Sequence, residues 1–250
     1  MYPIRYCLLL LCWLLPIGAL SADEAKPPLR FMTADVWPWG YIDEYGQPAG
    51  LLSRLANRLS ELSDLPLDNR VLPHQRLVHE LRLHRADFAV LFENPTLDSF
   101  ASSLGVVIQA DILLVTRPSN SLKLNLEGLS GRKVAYIRGT YYGESFTADQ
   151  HIIKVPVHNL DQAVEMLLMG RIDALISSDL VLHHTLEALG MTTGQFRIAV
   201  HAPGHPGHLY MSDQPSYPEQ AQAMQSALEE LRLSGELQEI FWQQPQPLPD

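Results

Sequence analysis

A group of aromatic and acidic side chains follows the first predicted strand of this 250-residue chain. The group comprises Asp35, Trp37, Trp39 and Tyr41. Flat rings offer large apolar faces, and they attract a cation that is held over them. The same rings are equally suited to packing a loop onto the protein. We therefore predict that these four side chains contact a ligand, with loop packing as the alternative for each ring.

A second polar group, Glu93, Asn94 and Thr96, follows the predicted strand 86–92. The Glu93 carboxylate is able to accept a hydrogen bond from a ligand ammonium or hydroxyl group. It is equally able to cap the next helix or to face water. Because ligands of open α/β sheets bind beyond the carboxyl ends of the strands, we expect all three residues at a binding site.

A third group, Arg138, Gly139, Thr140 and Tyr141, follows the predicted strand 133–138. Gly139 and Thr140 lie where a helix is predicted to begin, and free backbone N–H groups at such a place suit an anion. The guanidinium of Arg138 matches a carboxylate with two parallel hydrogen bonds. The alternative is a surface arginine paired with a neighbouring acid.

Histidines occur in two clusters, the adjacent pair His183–His184 and the triplet His201, His205 and His208. Such clusters are able to bind zinc. The triplet, however, is interspersed with prolines and glycines, no cysteine accompanies it, and the chain contains no His-Glu-x-x-His motif. The sequence therefore predicts neither a metal ion nor a cofactor.

The catalytic motifs of common enzymes do not occur in the sequence. It contains no Gly-x-Ser-x-Gly nucleophile motif and no glycine-rich phosphate loop. Both cysteines, Cys7 and Cys12, lie in the first 22 residues. We therefore predict that the chain is not an enzyme and that it binds a small molecule without changing it.

Strand and helix patterns alternate along the chain, and they must position these side chains. Predicted strands cover 29–36, 68–72, 86–92, 110–117, 133–138, 152–157, 172–177, 196–201 and 209–212. Predicted helices cover 51–62, 74–84, 141–149, 160–169, 179–189 and 218–242, the last broken at Ser234–Gly235. This alternation predicts an α/β fold with a mostly parallel sheet covered by helices.

An internal similarity suggests two lobes. Residues 81–91 and 167–177 each end a helix, pass through an arginine and place an aspartate, Asp87 or Asp173, at the start of a strand. Any α/β protein contains such junctions, so this feature alone does not distinguish two similar lobes from an ordinary α/β domain. Turn-forming residues at 117–120 and 203–207 predict two crossings between lobes. Lobe 1 would comprise 27–117 and 207–250, and lobe 2 would comprise 118–206, with a hinge and a ligand cleft between them.

Residues 1–22 have the pattern of a secretory signal peptide. Arg5 precedes a short apolar run, residues 6–15, and small residues follow it. Because Arg5 is the only charged residue of this segment, its removal changes the formal net charge from −10 to −11. A chain this acidic is poorly suited to nucleic acid, which attracts clustered Lys and Arg. We expect a monomer that is secreted into the periplasm and does not bind nucleic acid.

Five motifs occur in a fixed order between Leu29 and Trp242. They are Trp37–Gly46 with Gly50, Arg76-Leu77 ahead of Ala86-Asp87, Leu126–Val134 leading to Arg138-Gly139-Thr140, Gly170–Ala174, and Ser234–Leu237 ahead of Ile240–Trp242. In this order they resemble bacterial solute-binding family 3, the polar-amino-acid type of periplasmic binding protein. The resemblance implies a two-lobed, type II fold hinged at two crossing segments. It also implies a small polar ligand and an ABC-type uptake permease as partner.

The sequence departs from that family at the two places where its members hold an α-amino acid. In the family, an arginine that binds the ligand carboxylate lies three residues after a threonine. In this sequence the residue three places after Thr96 is Ser99. The aspartate that holds the α-amino group is replaced by Ser178, and an acid, Asp179, follows one residue later. We keep Ser178 and Asp179 as candidate ligand contacts, and we expect an organic acid, an amine or another amino-acid-like compound as ligand.

The resemblance leaves two other functions open. One is a ligand-sensing partner that is read by a membrane receptor. The other, on the same fold, is a periplasmic dehydratase that acts on cyclic acids.

Overall fold

The structure, a computed structural model, describes residues 27–213 and 218–242. The predicted signal peptide, residues 1–22, lies outside these described residues. Within them, no helix is both long and apolar enough to cross a membrane.

Within residues 27–213 and 218–242, ten strands and seven α-helices form a mixed α/β structure. The strands are β1 (Leu29–Ala34), β2 (Tyr41–Ile42), β3 (Pro48–Ala49), β4 (Leu67–Leu72), β5 (Phe88–Phe92), β6 (Ala101–Thr116), β7 (Lys133–Ile137), β8 (Ile153–Val157), β9 (Ala174–Ser178) and β10 (Arg197–Ser212). The helices are α1 (Leu51–Ser63), α2 (His74–Arg82), α3 (Glu144–Ala148), α4 (Leu160–Leu168), α5 (Asp179–Ala188), α6 (Ala221–Ser234) and α7 (Glu236–Trp242). The predicted α/β alternation is confirmed.

Eight of the strands form one sheet, in the order β4-β1-β5-β10-β6-β9-β7-β8. Strands β4, β1 and β5 are parallel to one another, and we call them the first half of the sheet. Strands β8, β7 and β9 are likewise parallel, and we call them the second half. The two halves have the same internal order, with the earliest strand between the other two. Long antiparallel strands, β10 beside β5 and β6 beside β9, join the halves.

The two long strands differ from the prediction. The predicted strand 110–117 is only the end of β6, and the predicted strands 196–201 and 209–212 are parts of one strand, β10. The Pro-Gly segment 203–207 does not end the strand, because a register shift between Ala202 and His205 accommodates it within the pairing with β6. The other predicted crossing, 117–120, begins after the end of β6 at Thr116. The chain has reached the second half before that point, because Ile112 of β6 already pairs with β9.

Regular helices form where the apolar spacing predicts them. In α1 the residues Leu51, Leu55 and Leu59 are fully buried, and the helix ends at Asp64 in the left-handed conformation. The predicted break in the last helical segment is confirmed at Gly235, whose φ of 83° separates α6 from α7. A continuous hydrophobic core lies beneath both halves, and a smaller one covers the other face of the second half.

The two aspartates of the internal similarity make equivalent hydrogen bonds. The backbone N–H of Asp87 donates to the carbonyl of Arg30, and the backbone N–H of Arg30 donates to the Asp87 carboxylate, at 2.9 and 2.7 Å. Asp173 exchanges the same pair of bonds with Lys133, both at 2.9 Å. Asp87 is more deeply buried, and it also accepts two bonds from the Arg30 guanidinium. Each carboxylate thus joins the third strand of its half to the first.

We expect Asp87→Ala to lower the free energy of unfolding by on the order of 3 kcal/mol, because it removes the carboxylate that pairs with the Arg30 guanidinium and accepts from the Arg30 backbone N–H. The matched variant Asp173→Ala removes one backbone hydrogen bond from a less buried carboxylate, and it should cost about 1 kcal/mol. Urea unfolding at pH 7 measures both values. Equal losses would show that the Arg30 ion pair adds nothing.

Candidate functional site

A small cavity lies between the two halves of the sheet, at the carboxyl ends of β1, β4 and β5. Its volume is about 50 Å³. The lining residues are Ala34, Val36, Trp39, Leu52, His74, Val90, Leu91, Phe92, Ile108, Thr140 and Gly207. Thr140 follows β7, so side chains from both halves enclose this space. Pockets for small molecules usually have volumes of about 300–1,000 Å³, so this cavity is smaller than a typical ligand pocket.

The halves approach each other closely at Gly139, directly after β7. A Cβ atom built there would lie 3.2 Å from the Gln75 side chain and 3.3 Å from Nδ1 of His74, which begins α2. Gly139 also has a φ of 88°, which side-chain-bearing residues rarely adopt. A glycine is therefore required for the loop after β7 to reach α2.

A series of rings lines the cleft between the halves. The ring centroid of Phe92 lies 6.1 Å from that of Trp39 and 5.4 Å from that of His205, and the ring centroid of Tyr141 lies 5.9 Å from that of His205. Burial, followed by the Glu144 and Glu93 carboxylates, raises the pKa of Tyr141. Glu93 thus places a negative charge beside the rings.

Two histidine nitrogens at the cleft are buried without a hydrogen-bond partner among the described residues. They are Nδ1 of His74 and Nε2 of His205. Burial lowers the pKa of His74 to about 4. Burial also lowers the pKa of His205, an effect that Glu93 partly offsets. Both rings are therefore neutral at pH 7, and each has a polar atom available to a ligand.

Five of the predicted site residues come together at this cleft. Trp39 and Thr140 line the cavity, and Tyr141 belongs to the ring series. Gly139 contacts the first turn of α2, and Glu93 acts electrostatically on His205 and Tyr141. The assignment of these residues to a ligand stays a prediction.

The aromatic loop after β1 divides its side chains between two places. Trp37 packs edge-on against His184 of α5, with ring centroids 6.4 Å apart, and does not line the cavity. Tyr41 is buried close enough to Arg54 for an electrostatic interaction. Asp35 is exposed, and its backbone N–H donates to the carbonyl of Leu72.

The other predicted polar residues make local contacts. The side-chain oxygen of Asn94 accepts from the backbone N–H and the hydroxyl of Thr96. Arg138 is exposed, and its backbone N–H donates to Val157. Ser178 caps α5 by accepting from the Val181 N–H. Burial raises the pKa of Asp179, which accepts from the Leu180 N–H.

Sequence reasoning missed His74, Phe92 and His205 as candidate ligand contacts. The first two lie beyond and at the carboxyl ends of β4 and β5, so the rule that selected Glu93 would also have selected them. His205 was considered only as a metal ligand, because its position inside β10 was not predicted.

Comparison with known proteins identifies the fold. No protein-family model and no curated protein sequence matches the chain. A mutant of the arginine-binding protein ArgBP from T. maritima superposes with a TM-score of 0.71 at 18% identity, over 87% of this chain and 94% of that chain. A substrate-binding protein of an amino acid ABC transporter gives 0.69 at 15% identity, over 85% and 96%. The B. pertussis BvgS periplasmic domain gives 0.69 at 21%, over 88% of this chain and 43% of that chain.

These likenesses define the class of structure. The chain has the two-lobed, type II fold of periplasmic binding proteins, as its motifs imply. At identities of 15–21% the similarity establishes the fold.

The pKa of His74 gives a pH-dependent contribution to stability. Because the pKa is about 4 in the folded state and about 6.5 in the unfolded state, the contribution is complete above pH 6.5 and is lost as the pH falls towards 4. Between about pH 7 and pH 4.5, we expect the wild-type chain to lose on the order of 2 kcal/mol more unfolding free energy than His74→Asn. Urea unfolding at both pH values measures this difference.

The control is His79→Asn, which changes an exposed histidine on the same helix. It should keep the wild-type pH dependence. If His74→Asn also keeps it, the His74 ring is not desolvated in solution.

Proposed function

We propose that this chain is a periplasmic solute-binding protein, which encloses one small polar ligand between the two halves of its sheet and performs no chemistry on it. The observation that carries this proposal is the cavity lined from both halves, where His74 Nδ1 is buried without a hydrogen-bond partner among the described residues. The equally unpartnered Nε2 of His205 lies close by, because the His205 ring is 5.4 Å from the ring of the lining residue Phe92. Leaving such a group unpaired costs about 1–3 kcal/mol, and a ligand that hydrogen-bonds to it removes the cost.

Ligand entry requires the halves to move apart as lobes. The proposed lobes are 27–117 with 207–250, and 118–206. The position of β6 favours moving the first boundary back towards residue 110, where the strand passes from one half to the other. The register shifts of β10 between Ala202 and His205 lie beside this point and interrupt the regular ladder. Bending there disturbs the fewest regular hydrogen bonds, so this is the proposed hinge.

The charges near the cleft suit either of two ligand chemistries. Glu93 lies beside rings that attract a cation, so it favours an amine. Arg138 follows β7 at the edge where Gly139 and Thr140 reach the cleft, so it favours a carboxylate. The proposed ligand is therefore an organic acid, an amine or an amino-acid-like compound that carries one or both groups.

Uptake through an ABC permease is the proposed physiological role. The likeness to a substrate-binding protein of an amino acid ABC transporter supports it. The second candidate is a ligand-binding partner of a membrane receptor. It is supported by the likeness to the BvgS periplasmic domain, in which this fold makes up only part of a longer chain. Permease and ATPase genes beside this gene would favour uptake, and a receptor gene would favour signalling.

Ligand binding should raise the melting temperature and make the protein more compact. A ligand at about 100 times its Kd adds about 2.7 kcal/mol to the stability of the state that binds it. We expect at least one compound in a panel of organic acids, amines and amino acids to raise the melting temperature of the wild-type chain, and X-ray scattering to show a smaller radius of gyration with that compound. Tyr141→Ala should weaken the shift, and Tyr45→Ala, at an exposed turn, should leave it unchanged. A panel without any shift or compaction would contradict the proposal.

Two matched variants identify the charged group of the ligand. If the ligand binds through a carboxylate, Arg138→Ala should weaken binding at least about tenfold and Arg138→Lys should restore part of it, because an ammonium lacks the planar fork. If it binds through an ammonium, Glu93→Gln should give the comparable loss. Calorimetry measures the Kd values, and Arg132→Ala, at the other end of β7, is the control. Unchanged affinity in both variants would exclude both anchors.

We expect ordinary α-amino acids to bind weakly. Ser99 is exposed and donates its hydroxyl to the Thr96 carbonyl, and Ser178 caps α5, so neither supplies the charge that would hold a zwitterion. A ligand carboxylate enclosed without a partner is strongly disfavoured. Calorimetry with L-arginine and L-glutamine should give no submicromolar Kd. Tight binding of either compound would show that other residues hold its charges.

A further inference from the structure

Three potential metal ligands converge on α5, away from the cleft residues. They are His183, His184 and Glu187, and each offers one ligand atom within 4.8 Å of the other two. The side chains of His183 and Glu187 are 52% and 41% exposed, whereas that of His184 is 1% exposed. The cluster therefore has one fixed member and two that reach solvent.

His184 is oriented by a bond to the C-terminal helix α7. Its Nε2 lies 3.1 Å from the backbone carbonyl of Phe241. Because a carbonyl only accepts, Nε2 carries the proton of the neutral ring and Nδ1 keeps its lone pair. Nδ1 is buried and has no hydrogen-bond partner among the described residues. A histidine whose second nitrogen donates to a backbone carbonyl is the usual arrangement of a metal ligand.

The free nitrogen of His184 is directed towards the other two side chains. Its Nδ1 lies 4.0 Å from Oε2 of Glu187, and Nε2 of His183 lies 3.9 Å from the same oxygen. Both distances are too long for hydrogen bonds. Two atoms that share a tetrahedral zinc ion at about 2.0–2.2 Å lie roughly 3.3 Å apart. The exposed side chains of His183 and Glu187 need only small rotations to close this difference.

We propose that His183, His184 and Glu187 form a three-ligand site for a divalent transition-metal ion, which the structure assigns to the junction between α5 and α7. Two imidazoles and one carboxylate suit zinc, cobalt or nickel better than magnesium or calcium, which prefer oxygen ligands. The exposed side leaves room for water as a fourth ligand. The positive charge of Arg54 is close enough to His184 to disfavour a bound cation, and the negative charge of the Glu187 carboxylate offsets this repulsion.

Metal binding at this site would stabilise a junction in the fold. Helix α5 follows β9 of the second half, and α7 packs against α6 and α1. Phe241 accepts from one ligand, and the Trp242 ring lies 5.8 Å from the other histidine, so α7 forms one wall. Trp37 of the loop after β1 packs on His184 from the first half. The metal should therefore raise the melting temperature, independently of the proposed function of the cleft.

The test uses untagged protein that has been treated with a chelator and then titrated with Co²⁺ and Zn²⁺. We expect one equivalent of Co²⁺ to give the visible absorption of a low-symmetry, four- or five-coordinate site, and Zn²⁺ to displace it and raise the melting temperature. His183→Ala and Glu187→Gln should each weaken Co²⁺ binding at least about tenfold. Both change exposed side chains, so the folded protein should survive, whereas truncating the buried His184 would risk the fold.

Two controls distinguish this site from other histidines. His151→Ala removes an exposed histidine elsewhere and should leave Co²⁺ affinity unchanged. The double variant His201→Ala, His208→Ala removes most of the histidine-rich segment of β10 and should also leave it unchanged. The proposal is overturned if wild-type protein gives no such absorption, if the double variant abolishes it, or if His183→Ala and Glu187→Gln bind Co²⁺ as tightly as wild type.

Discussion

The antiparallel pairing of β6 and β10 is the constraint on which the rest of the structure depends. Both strands are 16 residues long, and each runs from one half of the sheet to the other. The parallel strands of the first half attach beside β10, and those of the second half attach beside β6. The two halves therefore share one ladder of hydrogen bonds. The register shift between Ala202 and His205 interrupts that ladder near the point where it passes from one half to the other.

The same pairing creates the cleft. The strand order of the second half repeats that of the first half in reverse on the other side of the two long strands. The loop after β7 therefore faces the carboxyl ends of β4 and β5. Gly139 allows this loop to contact α2 beside the desolvated ring of His74. Burial without a partner carries an energetic cost at these ring nitrogens, and a ligand that hydrogen-bonded to them would reduce this cost. In the proposed function, separation of the halves and ligand binding would be coupled through these few polar atoms.

Helix α5 takes part in several contacts that connect the halves. Its cap is Ser178, its side carries Trp37 from the first half, and its buried His184 bonds to α7. Trp37 and Ser178, which the sequence analysis predicted as ligand contacts, thus help to hold α5 in place. The hydroxyl of Ser178 is engaged in capping, and a residue with that role is poorly placed to hold a charged ligand group as well.

The sequence by itself determined the local structure and the class of fold. The leucine spacing of α1 and the glycine at 235 depend on neighbouring residues only, and the order of motifs was sufficient to predict a two-lobed α/β protein. The continuity of β10 was not predictable, because Pro203, Gly204 and Pro206 normally end a strand and only pairing with β6 keeps them in one. For the candidate site, the sequence predicted which strand ends contribute residues, but it did not predict what each side chain contacts.

Tertiary structure decided which similar residues do different things. Trp37 and Trp39 are two residues apart in one loop, yet Trp39 lines the cavity and Trp37 packs on α5, since that choice depends on what lies opposite each ring. The adjacency of His183 and His184 is visible in the sequence. The carbonyl that orients His184 belongs to Phe241, 57 residues away, and only the packing of α7 brings it there. Local spacing determines which residues share an element, whereas contacts between distant elements determine which atoms are buried, paired or free.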